Sequence, residues 1–260
     1  MVAKGYSQIE GLDYDKTFAL VTRYDSLRLI IDLATHLGLN TDQLDIKSAF
    51  LNGDLVEEIW MVPTPGISLD GNIVRLDKAR YDLMQAPLAW FEKLSEALAE
   101  IGFISLPFYS CVFISADYKI IVVVYVDDIT TARSRSYLKR LIDHLRSSFK
   151  VMVKGFLQYI LGIEINHTAE GKELTQHQYI TNILSHFGMD NCRPVLTPID
   201  SNTSLVKASD SDPVFEQNSY QRMIGSLIYL VTCTLSHLAF SVSYLSRLSS
   251  HPLERHHTAL

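Results

Sequence analysis

The segment Tyr118–Thr130, YKIIVVVYVDDIT, constrains this chain more than any other. Its β-branched residues read as one buried strand, and the apolar run from Ile120 to Val126 is far shorter than the ~20 residues a membrane-spanning helix needs. Two consecutive aspartates, Asp127 and Asp128, interrupt it. Burying ionised carboxylates without partners costs several kcal/mol each, so they call for a cation, a hydrogen-bond network or water. The plain alternative is a strand that ends there with both side chains solvated, since Asp is common at strand ends and turns. Asp45, in the short apolar segment Leu44-Asp45-Ile46 about 80 residues upstream, shifts the balance. Neighbouring strands would bring it beside the pair. Carboxylates converging from two strands suit a pair of magnesium ions, which take hard oxygen ligands and leave positions for water and phosphate.

The remaining pattern is that of a folded chain of 260 residues with 47% hydrophobic residues. A helix is expected from about 26 to 37, where Leu27, Ile30, Ile31, Ala34 and Leu37 share one face and Gly38 ends it. Asn52-Gly53 and Asp70-Gly71 are turn signals for strands and hairpins. Leu88–Ile101 returns to helical spacing, and Leu138–Phe149 is amphipathic. Between Thr131 and Gly155 seven basic residues face one acidic residue, Asp143, against a formal net charge of −6 for the whole chain. That global charge excludes coating nucleic acid by bulk charge and leaves a local basic surface open. A short helix is expected around Gln178–Phe187, a loop over Arg193–Pro213, and one last helical block over Tyr220–Leu248. Cys111, Cys192 and Cys233 lie far apart without CxxC spacing, so neither a zinc site nor a disulfide framework is suggested. No apolar leader opens the sequence, which reads as soluble.

Long motifs spread over almost the whole chain carry a family resemblance. VAKGYSQ, GLDYDKTFALV, QLDIKSAFLNGDL, QAPLAWFEKL, YVDDI, LGIEI, TQHQYITNIL and GSLIYL stand in the order and at about the spacing found in copia-type LTR retrotransposon polyproteins. The sequence resembles their reverse transcriptase domain. That resemblance implies an α+β right-hand polymerase: palm and fingers with an antiparallel palm sheet and helices over residues 1–165, then a helical thumb or connection region over 166–260, ending before ribonuclease H.

By the same resemblance Asp45, Asp127 and Asp128 would be the catalytic metal carboxylates, with the Ile46 carbonyl as a further ligand and two Mg2+ ions, or Mn2+ in their place, as cofactors. Phe50 would be the aromatic gate against a ribose 2′-hydroxyl; read alone, it is an ordinary core aromatic. Gln85 and Lys4 would contact the nucleotide, whereas alone Gln85 is a polar residue at a helix entry and Lys4 a solvated cation. Leu161, Gly162 and Ile163 would hold the primer end. Lys139, Arg140 and Arg146 would track the nucleic-acid backbone, releasing condensed counterions; as a generic pattern they form a solvated helix face. Expected partners are an RNA or DNA template with primer, deoxynucleotide triphosphates and the rest of the Pol polyprotein, including integrase and ribonuclease H, with no membrane. The expected location is a cytoplasmic virus-like particle or the nucleus.

Several positions depart from the family pattern. Where members read YGLKQAPRAW, this chain has Asp82 for the glycine, and Met84 and Leu88 for two cations. Arg133 replaces a glycine, Leu20 a proline, and Met152 a lysine, flanked here by Lys150 and Lys154. Leu235-Ser236-His237 stands in place of RPD, and His256-His257 in place of His-Trp. The family's upstream phosphate-neutralising Arg falls before Met1. These departures keep open a second reading, a truncated and decayed retroelement remnant that at most binds nucleic acid. A two-metal nuclease is a third, which leaves the Phe50, Gln85 and LGIEI matches unexplained.

Overall fold

Central strands buried along nearly their whole length organise the first part of a computed structural model that describes residues 4–17, 21–63, 73–133, 137–199 and 213–260. The elements in chain order are α1 (Tyr24–His36), β1 (Asn40–Ile46), β2 (Asp54–Met61), β3 (Val74–Lys78), α2 (Ala86–Glu100), β4 (Phe103–Leu106), β5 (Tyr109–Ser115), β6 (Ile120–Tyr125), β7 (Asp128–Arg133), α3 (Leu138–Ser148) and β8 (Val151–Phe156). There follow β9 (Tyr159–Ile160), β10 (Ile163–His167), β11 (Lys172–Thr175), α4 (His177–His186), α5 (Gln217–Cys233), α6 (Ala239–Ser246) and α7 (Glu254–Thr258). Two compact units result, Met1–Leu157 and Gln158–Leu260.

In the first unit six antiparallel strands run in the order β4-β5-β6-β7-β1-β8. Because side chains alternate across a strand, Leu44, Ile46, Val122, Val124 and Ile129 enter one face. Trp90, Leu94 and Leu98 of α2 and Leu138, Leu141 and Leu145 of α3 cover that face. Each fully buried leucine there contributes about 1.5–3 kcal/mol over an exposed one. The opposite face receives Ile30 and Ala34 of α1 against Val112, Ile121, Val123 and Ala132. The smaller β2–β3 sheet packs through Ile59 on Ala79, Leu83 and Ala86.

Within the second unit β9, β10 and β11 form a three-stranded antiparallel sheet. Tyr220 and Ile224 of α5 pack on Leu245 and Leu248. Glu216 caps α5 by accepting the Asn218 and Ser219 amides.

The α+β class and the antiparallel sheet agree with the sequence reading, and four helices, α1 to α4, fall within two residues of their expected spans. Two expectations need correction. Tyr118–Thr130 is not one strand but a hairpin, β6 and β7, turning at Val126-Asp127. Val126 takes φ +51°, a conformation that β-branched residues rarely adopt, and no Gly or Asn marks the turn. The block Tyr220–Leu248 is broken at Thr234-Leu235, after which a short 3-10 turn leads into α6. Leu20 and Asp70-Gly71 lie outside the described residues. Arg133, in place of a glycine, forms an ion pair of 2.8 Å with Asp42, both side chains being about nine-tenths buried. His256 is fully buried and accepts the Leu253 amide on Nδ1, while His257 stacks on Phe215, so each has a structural task.

Candidate functional site

The β6–β7 turn and the end of β1 meet at one point. Asp45 faces Asp128 in the β1–β7 register, and the Ile46 amide donates to the Asp127 carbonyl at 2.8 Å. Trp90 of α2 donates its indole N–H to the Val126 carbonyl at 2.9 Å. These bonds hold a strained turn in a single position, the circumstance in which such backbone persists. Asp45 and Asp128 project from the face opposite the α2–α3 layer, because Leu44 and Ile129 beside them point into that core.

Side chains complete the arrangement. The Lys154 ammonium lies 2.9 Å from Asp45 Oδ1 and 3.0 Å from Asp128 Oδ1, joining the two carboxylates. Buried Gln43, two residues before Asp45 and on the same face, donates to Asp128 at 2.9 Å. The Tyr81 hydroxyl donates to Asp127 Oδ2 at 3.0 Å. Burial, the hydrogen bond to Asp127 and the negative charges of Asp127 and Asp45 push the Tyr81 pKa up to about 12, so the phenol stays a donor. Burial raises the Asp127 pKa, and the charges of Asp45 and Asp128 add to this against the opposing Tyr81 hydrogen bond and Lys154 charge. Burial works against the charge on Lys154, but its hydrogen bonds to Asp45 and Asp128 outweigh it and raise the pKa.

Three carboxylates offer oxygen donors of the kind that hard divalent cations take. Asp127 Oδ1 is a buried oxygen without a hydrogen-bond partner, a vacancy in bonding that a cation would satisfy. The donor set therefore fits such an ion. Among the described residues no three acidic, His or Cys side chains are closed to ligating distance.

The other expected residues divide. Phe50 stacks obliquely on Tyr81, with ring centroids 4.7 Å apart, and joins the aromatic side of the site to Asp127. Gln85 is buried, and its amide accepts from Gln8 and donates to the Asp13 carbonyl and to Glu57. Lys4 is exposed at the start of the segment whose Gly5 packs directly on the Asp82 carbonyl. Lys139, Arg140 and Arg146 are exposed on α3, which covers the sheet face away from Asp45 and Asp128. Arg140 also lines a cavity of about 310 Å³ with Phe103, Ser115, Asp117 and Tyr137. Leu161, Gly162 and Ile163 belong to the second unit, at the β9–β10 turn. The Ile46 side chain is in the core.

Tyr81, Gln43 and Trp90 were not singled out by sequence reasoning, and Lys154 only as a flank of Met152. One signal could have found Gln43, which stands one strand period from Asp45 and so shares its face; no comparable spacing marks Tyr81, Trp90 or Lys154.

Comparison with known proteins places the sequence in a family. The profile of the family described as "Reverse transcriptase (RNA-dependent DNA polymerase)" matches residues 1–201. The whole chain aligns with the retrovirus-related Pol polyprotein from transposon TNT 1-94 of Nicotiana tabacum at 33% identity, covering 21% of that protein. It aligns over its full length with the Pol polyproteins from transposons RE1 and RE2 of Arabidopsis thaliana at 35% and 34%, covering 18% of each. It thus spans about a fifth of the length of the curated relatives it matches. With a family match over most of its length and its carboxylates brought together by the fold, the chain belongs to the reverse transcriptase (RNA-dependent DNA polymerase) family, in the copia-type branch of transposon Pol polyproteins.

Proposed function

We propose that this chain is an RNA-directed DNA polymerase domain that extends a primer 3′-hydroxyl by attack on the α-phosphate of a deoxynucleotide. The observation that carries the reading is the convergence of Asp45 and Asp128, in register on adjacent strands, with the half-orphaned carboxylate of Asp127 in the turn between β6 and β7. Asp45, Asp127, Asp128 and the Ile46 carbonyl would hold two divalent cations. Bound magnesium, or manganese in its place, would stabilise phosphate charge and ease deprotonation of the attacking hydroxyl. Tyr81 orients Asp127 through Oδ2 and leaves Oδ1 free for that role. Phe50, braced by Tyr81, would stand against the sugar and reject a 2′-hydroxyl.

Fingers and palm would occupy the first part of the chain, and the thumb or connection the helices of the second. Leu161, Gly162 and Ile163 would grip the primer end, Gln85 and Lys4 would act at the nucleotide, and Lys139, Arg140 and Arg146 would contact template phosphates. The partners would be a primed template, deoxynucleotide triphosphates and the rest of the polyprotein.

A second reading, a folded remnant without catalysis, is favoured by one observation: Gln85, the expected nucleotide contact, has its amide engaged by Gln8, Asp13 and Glu57. Primer extension on an RNA template with magnesium separates the two. Incorporation by the wild-type chain that is lost in Asp127→Asn supports polymerisation; salt-dependent binding of template without incorporation supports the remnant. Metal-dependent cleavage without incorporation would point to a nuclease.

A further inference from the structure

The β1–β8 pairing contains an irregularity at the site. Gln43 faces Gly155 and Leu44 faces Val153, so Lys154 is the extra residue of a β-bulge, followed by Gly155 at φ +88°. Bulges bend a strand and re-aim a side chain, and they gather beside functional sites. Here the bulge lies on the edge strand β8, opposite the stretch of β1 that carries Gln43 and Asp45. It sends a side chain with four rotatable bonds over the carboxylates. The ammonium settles between Asp45 Oδ1 and Asp128 Oδ1 at 2.9 and 3.0 Å, while the side chain remains 37% exposed. One of these oxygens is shared, since Gln43 also donates to Asp128 Oδ1.

The one ammonium bridges both carboxylates and offsets one of their two negative charges. A cation that used them would have to break two charge-assisted hydrogen bonds and move a positive charge that would otherwise lie within direct repulsive range. Asp127 is differently placed, because among the described residues no cationic side chain is hydrogen-bonded to it and its Oδ1 is without a partner.

We propose that Lys154 is the resident counter-cation of the Asp45–Asp128 pair, and that a divalent cation enters this pair only by displacing it toward solvent. This rests on the reading of these aspartates as cation ligands. Lys154 acts through the carboxylates and is a positioning residue. It holds them at a common distance when the metal is absent and weakens the metal's hold when it is present. Lys154 stands on the edge strand with its side chain already 37% exposed, so displacement carries the ammonium toward solvent.

The test is Mn2+ binding to the 260-residue chain, followed by calorimetry and by Mn2+ spin resonance, in wild type, Lys154→Met, Lys154→Gln, Lys154→Arg and Asp127→Asn. Two neutral variants guard against a folding defect in either one. Both are expected to bind Mn2+ roughly tenfold more tightly than wild type, with Lys154→Arg close to wild type. The neutral variants should also melt lower in chelator and show a larger rise in melting temperature on adding Mn2+. Equal or weaker Mn2+ binding in both neutral variants, with binding in wild type lost in Asp127→Asn, overturns the displacement and leaves the site standing. Absence of any Asp127-dependent Mn2+ binding in wild type overturns both.

Discussion

Two hairpin turns in different units use one device. At β6–β7 the turn begins with Val126 at φ +51°, and at β9–β10 with Leu161 at φ +51°. Neither residue favours that conformation, and in each case the carbonyl of the strained residue accepts a hydrogen bond from an aromatic side chain on a helix. Trp90 of α2 serves Val126 at 2.9 Å, and Tyr229 of α5 serves Leu161 at 2.9 Å. The next residue differs. Asp127 follows Val126 and presents a carboxylate; Gly162, at φ +78°, follows Leu161 and presents no side chain at all. A Cβ on Gly162 would fall 1.8 Å from the Tyr229 hydroxyl oxygen. The same strained turn can therefore display a charged group or bring backbone against an aromatic ring, and the residue after the strained one decides which.

The sharpest separation of the two turns comes from altering those following residues. Asp127→Asn should retain the fold and lose roughly 10²–10⁴-fold in nucleotide incorporation, corresponding to the several kcal/mol of charge stabilisation a metal site supplies. The same variant should be more stable than wild type in chelator at neutral pH. Asp127 has a raised pKa in the folded chain, so the native state holds its proton more tightly than the unfolded chain, and stability falls as pH rises from ~3.9 through the native value. Asn removes that loss. Melting scans should show the advantage shrinking to nothing below the unfolded carboxyl range, and an advantage that grows there instead would contradict the assignment.

Gly162→Ala should act on folding, destabilising the second unit by roughly 2–4 kcal/mol through overpacking and left-handed strain. Adding Tyr229→Phe should recover part of it, since the phenol oxygen is the nearest atom; denaturant titrations in a double-mutant cycle would measure the coupling. If the two changes simply add, the ring contact is not what requires glycine. Trp90→Phe keeps most of the buried ring but leaves the Val126 carbonyl without its donor, which should cost about 1–3 kcal/mol and lower incorporation with it. Loss of stability with unchanged incorporation would detach the indole from the site.

Asp82→Gly is expected to have the smallest effect, and to be favourable. Asp82 sits at φ +72°, where the family carries glycine, and Asp tolerates that region better than most residues but less well than glycine. A gain of up to about 1 kcal/mol in chemical denaturation is expected. A loss would mean that the Asp82 side chain compensates its backbone.

Much of this was readable beforehand where one physical signal dominates. α1, α2 and α3 follow apolar periodicity, and Asp45, Asp127 and Asp128 stand out as charges in apolar strands. The β6–β7 turn did not, because apolar β-branched residues continue on both sides of it and the turn residue is Val126, whose left-handed φ is imposed by Trp90 and the surrounding packing. Tyr81 reaches Asp127 from a loop, a juxtaposition created only by the fold. Lys154 depends on a bulge, which no local spacing announces. Arg133 read only as a replacement for a family glycine, whereas its partner Asp42 makes it part of the buried framework.

The central claim, that Asp45, Asp127 and Asp128 form a polymerising centre, meets its most direct test in single-nucleotide incorporation on a primed RNA template with magnesium. Wild type, Asp45→Asn, Asp127→Asn and Asp128→Asn should be compared at equal folded concentration. The account predicts template-directed addition of one deoxynucleotide by wild type and a loss of at least about 10²-fold in each variant. Incorporation that survives in all three variants, or is absent from a folded, template-bound wild type, would contradict it.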